Sequence, residues 1–483
     1  MRPRHPVLPA LTVAALTVAA VTLAGCTVGP AYHAPKMPMP PAWSEAKASE
    51  GALAGATPAD MTAWWTQLND PVLNGLIRRA LADNPDLQAA ASRVREARDQ
   101  ARIAGAAELP TANASASALT YNSDRRGATG QSGFSLPTHT NLYSVGFDAT
   151  WEVDLFGGGR RAIEAAKADT AAAVWARRDG QVSLIAEVAN DYLTLRALQV
   201  RIAIGQAELK RQQDLFGLIG DRRKSGFVTD LDVDQQSVQV ETAAAQLPQL
   251  GAQARAQTHA LAVLIGQPPG ALDQELSATG APLPPPPPPL PLGLPSDLLQ
   301  RRPDVREAER RLAAANARVG VQVANFYPKL DLIGLANVAG MSPDSLFSQR
   351  NLSSIGLGML TQPIFDGGKA GAGVRSAKED RTQALLSYRT TVLGAFRDVE
   401  DALARYHAEL ARRDSLARSV TASQNSLKIA EDQYRTGFVT FINVLQAENA
   451  VLNSRDQLVQ SDALVLSDLV SLYKSLGGGW SQD

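Results

Sequence analysis

Beyond Leu23 the chain has no run of about 18 or more apolar residues, which leaves the mature protein no α-helical membrane span. It holds one cysteine, Cys26, so an internal disulfide is excluded. Aromatic residues make up 5%, little for a chain that fills a thick globular core. The five histidines (His5, His33, His139, His259 and His407) are scattered, without a metal-ligand spacing. No Ser/His/Asp or Cys/His constellation stands out, so we expect no catalytic, cofactor-binding or metal-binding residues and no enzyme. Gly157-Gly158-Gly159-Arg160 lies where a phosphate loop would lie, but it lacks that motif's spacing and reads as a sharp strand-to-helix turn. The 47 Lys and Arg residues nearly balance 48 Asp and Glu, which argues against a nucleic-acid partner.

What is present begins with a leader. Arg2 and Arg4 precede the apolar stretch Val7–Leu23, which ends in Leu23-Ala24-Gly25-Cys26. Small residues before a lone cysteine are the pattern of a bacterial lipoprotein signal. Cleavage would make Cys26 the first residue and carry a covalent lipid on its thiol. A single acyl chain anchors weakly, so several chains or a protein span must add to it. Thr27 follows the cysteine, where Asp would suggest inner-membrane retention, so the outer membrane is the expected address.

The chain is then written twice. Asn84-Pro85-Asp86 returns as Arg302-Pro303-Asp304, and Pro110 as Pro328 in the same register. DLFGGGR (Asp154–Arg160) returns as PIFDGGK (Pro363–Lys369), and GFVT at Gly226 returns at Gly437. Each half closes on a glycine, Gly266 and Gly477. Between the halves, LPPPPPPLPLGLP (Leu283–Pro295) is a polyproline strap that joins no helix or central strand.

Each half carries one plan: a helix, a polar alternating stretch, an Asp/Gly turn, a very long helical run, the GFVT turn and a returning helix. The runs Arg160–Lys224 and Lys369–Arg435 lack proline, and each spans on the order of 100 Å if continuous. The interior glycines Gly180, Gly205 and Gly394 cost only about 1 kcal/mol each, so continuity is expected. Leu385, Val392, Phe396, Val399, Leu403, Tyr406 and Leu410 form a coiled-coil-like seam. Strands are expected at Thr111–Tyr121, Leu142–Val153, Leu330–Val338 and Asn351–Leu360. In the second, Tyr143, Val145, Phe147, Ala149, Trp151 and Val153 share one face, opposite Ser144, Asp148 and Glu152. Tyr143 and Trp151 stand about 27 Å apart at full extension, close to the ~25 Å height of a lipid-facing band between aromatic girdles. Four strands cannot close a membrane barrel, so copies of the chain must share one; the strands alone leave two or three copies open.

Asp230, Asp232 and Asp234 follow the first GFVT. Acids there suit a helix N-terminus, and symmetry would multiply any lumen-facing carboxylate into a ring that selects ions.

With LAGCTVGPAY (Leu23–Tyr32), RRPDV (Arg301–Val305), YPKL (Tyr327–Leu330), PIFDGG (Pro363–Gly368), YRTGFVTFINVLQAE (Tyr434–Glu448) and LYKSLGGGW (Leu472–Trp480), the sequence resembles the TolC-like outer-membrane efflux proteins, in particular the NodT-type efflux lipoproteins. The resemblance implies a mainly α fold with a small β part. Long coiled-coil-like helices would form a periplasmic α-barrel, and four strands per subunit would join a trimeric twelve-stranded β-barrel. It divides the chain into a signal peptide (1–25), an anchoring and equatorial segment (26–70), a first repeat (71–270), a Pro-rich linker (271–296), a second repeat (297–477) and a tail (478–483). It implies the exit duct of a tripartite pump in a Gram-negative outer membrane, partnered by a periplasmic adaptor and an inner-membrane transporter. Asp232, Tyr434, Arg435, Asn443 and Gln446 then join Asp230 and Asp234 as candidates for the periplasmic gate. Asn443 and Gln446 replace aspartates common in the family, so a weakly charged gate is expected. A lipid-anchored coiled-coil spacer of the cell envelope is the competing reading; it leaves the amphipathic strand unexplained.

Overall fold

The computed structural model describes residues 27–45, 61–122, 139–277, 282–286, 295–346 and 351–481. Cys26 and most of the polyproline strap lie outside these described residues. The main elements are α1 (Pro71–Asp83), α2 (Pro85–Ala106), β1 (Thr111–Asn122), β2 (His139–Val153), α3 (Gly158–Lys224), α4 (Asp230–Leu264), α5 (Pro303–Ala324), β3 (Lys329–Gly340), β4 (Leu352–Thr361), α6 (Lys369–Arg435) and α7 (Phe441–Ser475). The long helices α3 and α6 each run unbroken for 67 residues. Gly205, a possible break point, is instead a notch: a Cβ there would stand 3.0 Å from Leu247 Cδ2 of α4. α4 runs on past the proline inside it, Pro248, to a final stretch in which Thr258, Leu261 and Ala262 are buried.

The strands form one antiparallel sheet in the order β1-β2-β3-β4. Register defines its faces. Ala149 stands between Ala112 and Gly334, Phe147 between Ala114 and Ala336, and Trp151 opposite Leu332. Gly334 and Leu332 in turn face Gly356 and Gly358 of β4. This face holds alanines from β1, the aromatic and branched residues of β2, and small or aliphatic residues of β3 and β4, and it carries no charge. The opposite face is polar across β1 and β2, where Asn113 donates to Asp148 at 2.9 Å and Ser117 meets Ser144 at 2.8 Å. Exposed side chains on the uncharged face include Phe147 and Val145, as a surface made for lipid requires.

Compactness does not follow the repeat. One unit gathers residues up to Pro35, Arg95–Ala172 and Glu309–Ser387; the other gathers Lys36–Val94, Ala173–Ala308 and Tyr388–Asp483. Each draws on both halves. The sheet belongs to the first unit, whose N-terminal strap is tied down by Arg161 donating to the carbonyls of Val28 and Gly29 at 3.2 and 3.3 Å.

In the second unit, the duplicated motifs make duplicated joints. Asn84 Nδ2 donates to the Leu264 carbonyl at the end of α4 (3.0 Å), and Arg302 Nη1 donates to the Ser475 carbonyl at the end of α7 (3.1 Å). The closing glycines take φ of 72° at Gly266 and 75° at Gly477, against the backbones of Asp83 and Arg301. So the residue before each proline satisfies the carbonyl end of its own return helix. Asp70 caps α1 by accepting from the amides of Val72 (2.9 Å) and Leu73 (3.2 Å), and takes the Tyr192 hydroxyl at 2.6 Å. The α6 seam is buried at Val392, Val399, Leu403 and Tyr406, whereas Leu385 is exposed. The expected seam is thus too long: α7 ends at Ser475, opposite Ala395, since Arg302 donates to both carbonyls.

Gly266→Ala is expected to cost about 2–4 kcal/mol, because a Cβ would meet the Asp83 carbonyl oxygen at 2.6 Å in a left-handed conformation. Gly226→Ala shares the positive φ but faces open space, and should cost about 1 kcal/mol. Denaturant titration of the detergent-extracted protein orders the two.

Candidate functional site

The GFVT motifs make two matching turns. Gly226 and Gly437 both adopt a φ of 79°, and each turn is closed in the same way, by Phe227 N donating to Arg222 O (3.0 Å) and Phe438 N donating to Gln433 O (2.9 Å). The helix ends they join share one small core. Ile219 of α3 and Phe441, Val444 and Leu445 of α7 are buried together, with Leu215, Val228, Val233, Leu427, Ala430 and Tyr434 packed around them. Both hairpins of the chain therefore meet at one tip.

The structure gives each acidic candidate a distinct task. Asp230 takes a two-pronged ion pair from Arg223, at 2.6 and 2.9 Å, and these bonds hold its carboxyl below the usual range. Asp232 accepts from both the amide and the hydroxyl of Thr229, each at 2.8 Å, which caps α4. Asp234 is exposed. Tyr434 is half-buried against Phe441, ring centroids 5.5 Å apart, with the Arg222 guanidinium 5.9 Å from its ring. Arg435 pairs loosely with Asp432 at 3.4 Å. Asn443 accepts from the Thr440 hydroxyl at 2.9 Å, and Gln446 lies exposed one turn further along α7. Asn443 and Gln446 share a face of α7 at i,i+3 spacing. The tip thus half-buries Asp232 and Tyr434 and leaves Asp230, Asp234, Arg435, Asn443 and Gln446 at its surface.

Sequence reading missed a polar cluster beside the tip. Glu448 of α7 is 3% exposed and takes an ion pair from Arg211 of α3. Arg211 also holds Glu208 at 2.8 Å, and Gln212 donates to Glu448 at 3.1 Å. Buried Gln236 of α4 donates to the Gln212 carbonyl at 3.0 Å. Three helices are thereby tied through two carboxylates and one guanidinium, and burial pushes the Glu448 carboxyl up. Only the tertiary pairing of α3 with α7 reveals it, because the partners lie far apart in the chain.

The sheet supplies the second functional surface. Trp151 Nε1 donates to the Glu108 carbonyl at 2.8 Å, a half-buried indole with a polar anchor, as interfacial tryptophans are. Phe156 stacks on Tyr327 at 4.7 Å, and Phe326, Ile364 and Phe365 are exposed near the same end of the strands. Tyr143 lies half-buried toward the other end, opposite Ala118 and Gly340. The YPKL (Tyr327–Leu330) and PIFDGG (Pro363–Gly368) tags and Phe156 of DLFGGGR supply this lower girdle; their aromatic content was the available signal.

A sheet with one uncharged face between aromatic ends, joined to paired coiled-coil hairpins, defines an outer-membrane channel subunit. The chain belongs to the outer membrane efflux protein family, which matches residues 76–267 and 294–478. It is 32% identical over 441 residues to nodulation protein T of Rhizobium leguminosarum bv. trifolii, covering 90% of each chain. It is 33% identical over 433 residues to the pyoverdine export outer membrane protein OpmQ of Pseudomonas aeruginosa, covering 88% of this chain and 89% of that one. Among solved structures, the outer-membrane channel OprN superposes with a TM-score of 0.85 at 34% identity, over 94% of this chain and 100% of that one.

Glu448 has a raised carboxyl pKa, so its neutral form is the one the fold favours. Its stabilising contribution is complete below the ordinary carboxylate range and is lost as pH rises through the raised value. Glu448→Gln should therefore leave tip stability at neutral pH unchanged or higher and flatten that pH dependence. Arg211→Ala strands two carboxylates and should cost on the order of 3 kcal/mol. Hydrogen exchange of the peptides around Glu208 and Glu448 across a pH series reads both.

Proposed function

We propose that three copies of this chain close one barrel and form the outer-membrane exit duct of a tripartite efflux pump, conducting cargo passively to the exterior. The observation that carries the reading is the four-stranded sheet with an uncharged outward face and two free edges, β1 and β4, in a chain that also carries paired helical hairpins. Free edges in lipid are forbidden, so the edges of neighbouring copies pair. Each subunit places two hairpins at the mouth, which accounts for the doubled GFVT turn. A periplasmic adaptor and an energised inner-membrane transporter supply cargo and work; the duct carries out no chemistry and holds no cofactor. A covalent lipid on Cys26 adds to the anchorage.

The mouth is closed by packing and hydrogen bonding more than by a dense ring of charge. Asp230 is neutralised by Arg223, Asp232 is engaged by Thr229, and Asn443 and Gln446 present neutral amides at the surface of α7. OpmQ is a pyoverdine export protein, so the cargo class falls among small molecules carried outward.

Cross-linking in native outer membranes should yield a species three times the subunit mass, and the purified species should conduct ions in planar bilayers. A monomer without pore activity would remove the duct reading. In the same bilayers Gln446→Asp should raise cation selectivity by placing three carboxylates around the mouth, whereas Asp232→Ala should act mainly by loosening the α4 cap. Unchanged selectivity in Gln446→Asp would take that residue off the pore wall.

A further inference from the structure

The uncharged face of the sheet is not uniformly thick. At its lower half Gly334 pairs with Gly356, and in the adjacent row Leu332 pairs with Gly358. A Cβ at Gly334 or Gly356 would meet nothing within 4 Å, and one at Gly358 would meet only Leu332 Cδ2 at 3.5 Å. The result is a groove of about 470 Å³, floored by the three glycines and walled by Ala149, Trp151, Leu332 and Pro110. Its Pro110–Trp151 end lies at the base of the sheet, where the Trp151 indole is tied to the Glu108 carbonyl.

The N-terminal strap ends at that same base. Val28 N donates to Phe156 O at 3.0 Å, three residues after β2 stops. Thr27 is pressed against Gly157 so closely that a Cβ on that glycine would stand 2.6 Å from Thr27 Cγ2. Arg161 holds the carbonyls of Val28 and Gly29, Asn316 donates to the Pro30 carbonyl at 3.0 Å, and Gly29 packs directly on Gly320. The residue that follows Cys26 is thus fixed in place and is no free tether.

We propose that this glycine-floored groove is the seat of a fatty acyl chain borne by Cys26. The inference rests on the lipidation of Cys26 set out under the proposed function. From the end of β2 to Ala149 is four residues, about 13 Å along the strand, shorter than an extended fatty acyl chain. The groove is apolar and lies on the face that meets lipid, so an acyl chain is the chemistry it accepts. A free phospholipid tail would fit the same shape. The tethered chain prevails because Thr27, the residue after its attachment point, is held at the base of the sheet, which gives the chain a high effective concentration. Packing against the glycine floor also restores contacts that the missing side chains forfeit. One chain lies in the wall, and the other chains of the lipid enter the bilayer.

The test uses cells fed a diazirine-bearing palmitic acid, with the full-length protein illuminated in native outer membranes and its peptides mapped by mass spectrometry. The expected result is cross-links joining the acylated Cys26 peptide to the segments holding Leu332–Gly334 and Gly356–Gly358. Gly356→Leu fills the floor from an open position and should cut those cross-links roughly tenfold, the loss expected when a tethered group is denied its seat. The wild-type map decides the matter by itself if that variant fails to assemble. Three outcomes overturn the assignment with lipidation intact: cross-links spread over the whole outward face, adducts at the glycines carrying phospholipid mass without the Cys26 peptide, or yields indifferent to Gly356→Leu. An unmodified Cys26 mass overturns the lipidation reading and the groove together.

Discussion

A β-strand edge cannot be left open in hydrocarbon, because each unpaired amide and carbonyl there costs several kcal/mol. The rest of this protein depends on that constraint. The chain contributes four strands, and a membrane barrel needs about eight or more. The sheet is consequently half-finished by design, with β1 and β4 waiting for another copy. The helical hairpins repeat twice per subunit, so each copy that joins the barrel brings two of them.

The tip shows how such a mouth is held without a large core. Four helix ends bury only a few large side chains, among them Ile219, Phe441, Val444 and Leu445. Short-range devices supply the remainder: positive-φ glycines in the turns, Asp232 on the Thr229 amide, and the Asp230–Arg223 pair. Exposed ion pairs of this kind contribute little each. The Arg211–Glu448 cluster differs, since its carboxylates are buried and their partners come from separate helices. Such a cluster specifies which helices sit together more than it adds stability. A gate needs that balance, in which register is well defined and the free energy between arrangements stays small.

The sheet solves the opposite problem. Its outward face must be apolar without attracting other proteins, so it relies on alanine, glycine and a few aliphatic residues, with Phe147 at mid-height and further aromatic side chains near its ends. Trp151, Phe156 and Tyr327 anchor the lower margin, and the N-terminal strap is bound at that same margin. Protein girdle and N-terminal strap thus sit at one level.

Much of this was legible in the residues alone. Period-two alternation in Leu142–Val153 and the proline-free runs Arg160–Lys224 and Lys369–Arg435 located strands and helices to within about three residues, because both signals are local. The duplication was legible for the same reason: the turn glycines need positive φ wherever the turn occurs. The seam was read about two turns too far, at Leu385, because periodicity cannot say where a partner helix stops. A capping role at this helix start was legible, but which acid would cap and which would pair was not: Asp232 caps α4 and Asp230 pairs with Arg223, a choice set by which side of the helix a neighbour occupies. The sequence by itself determined the element types, their duplication, and the need for more than one copy, all of which follow from backbone chemistry and short-range pattern. Only the tertiary structure decided the Asn84–Leu264 and Arg302–Ser475 joints, the Arg211–Glu448 cluster and the glycine-floored groove beside Thr27. Each of these arises where segments distant in the chain are packed within hydrogen-bonding or van der Waals reach, and no local pattern encodes that distance.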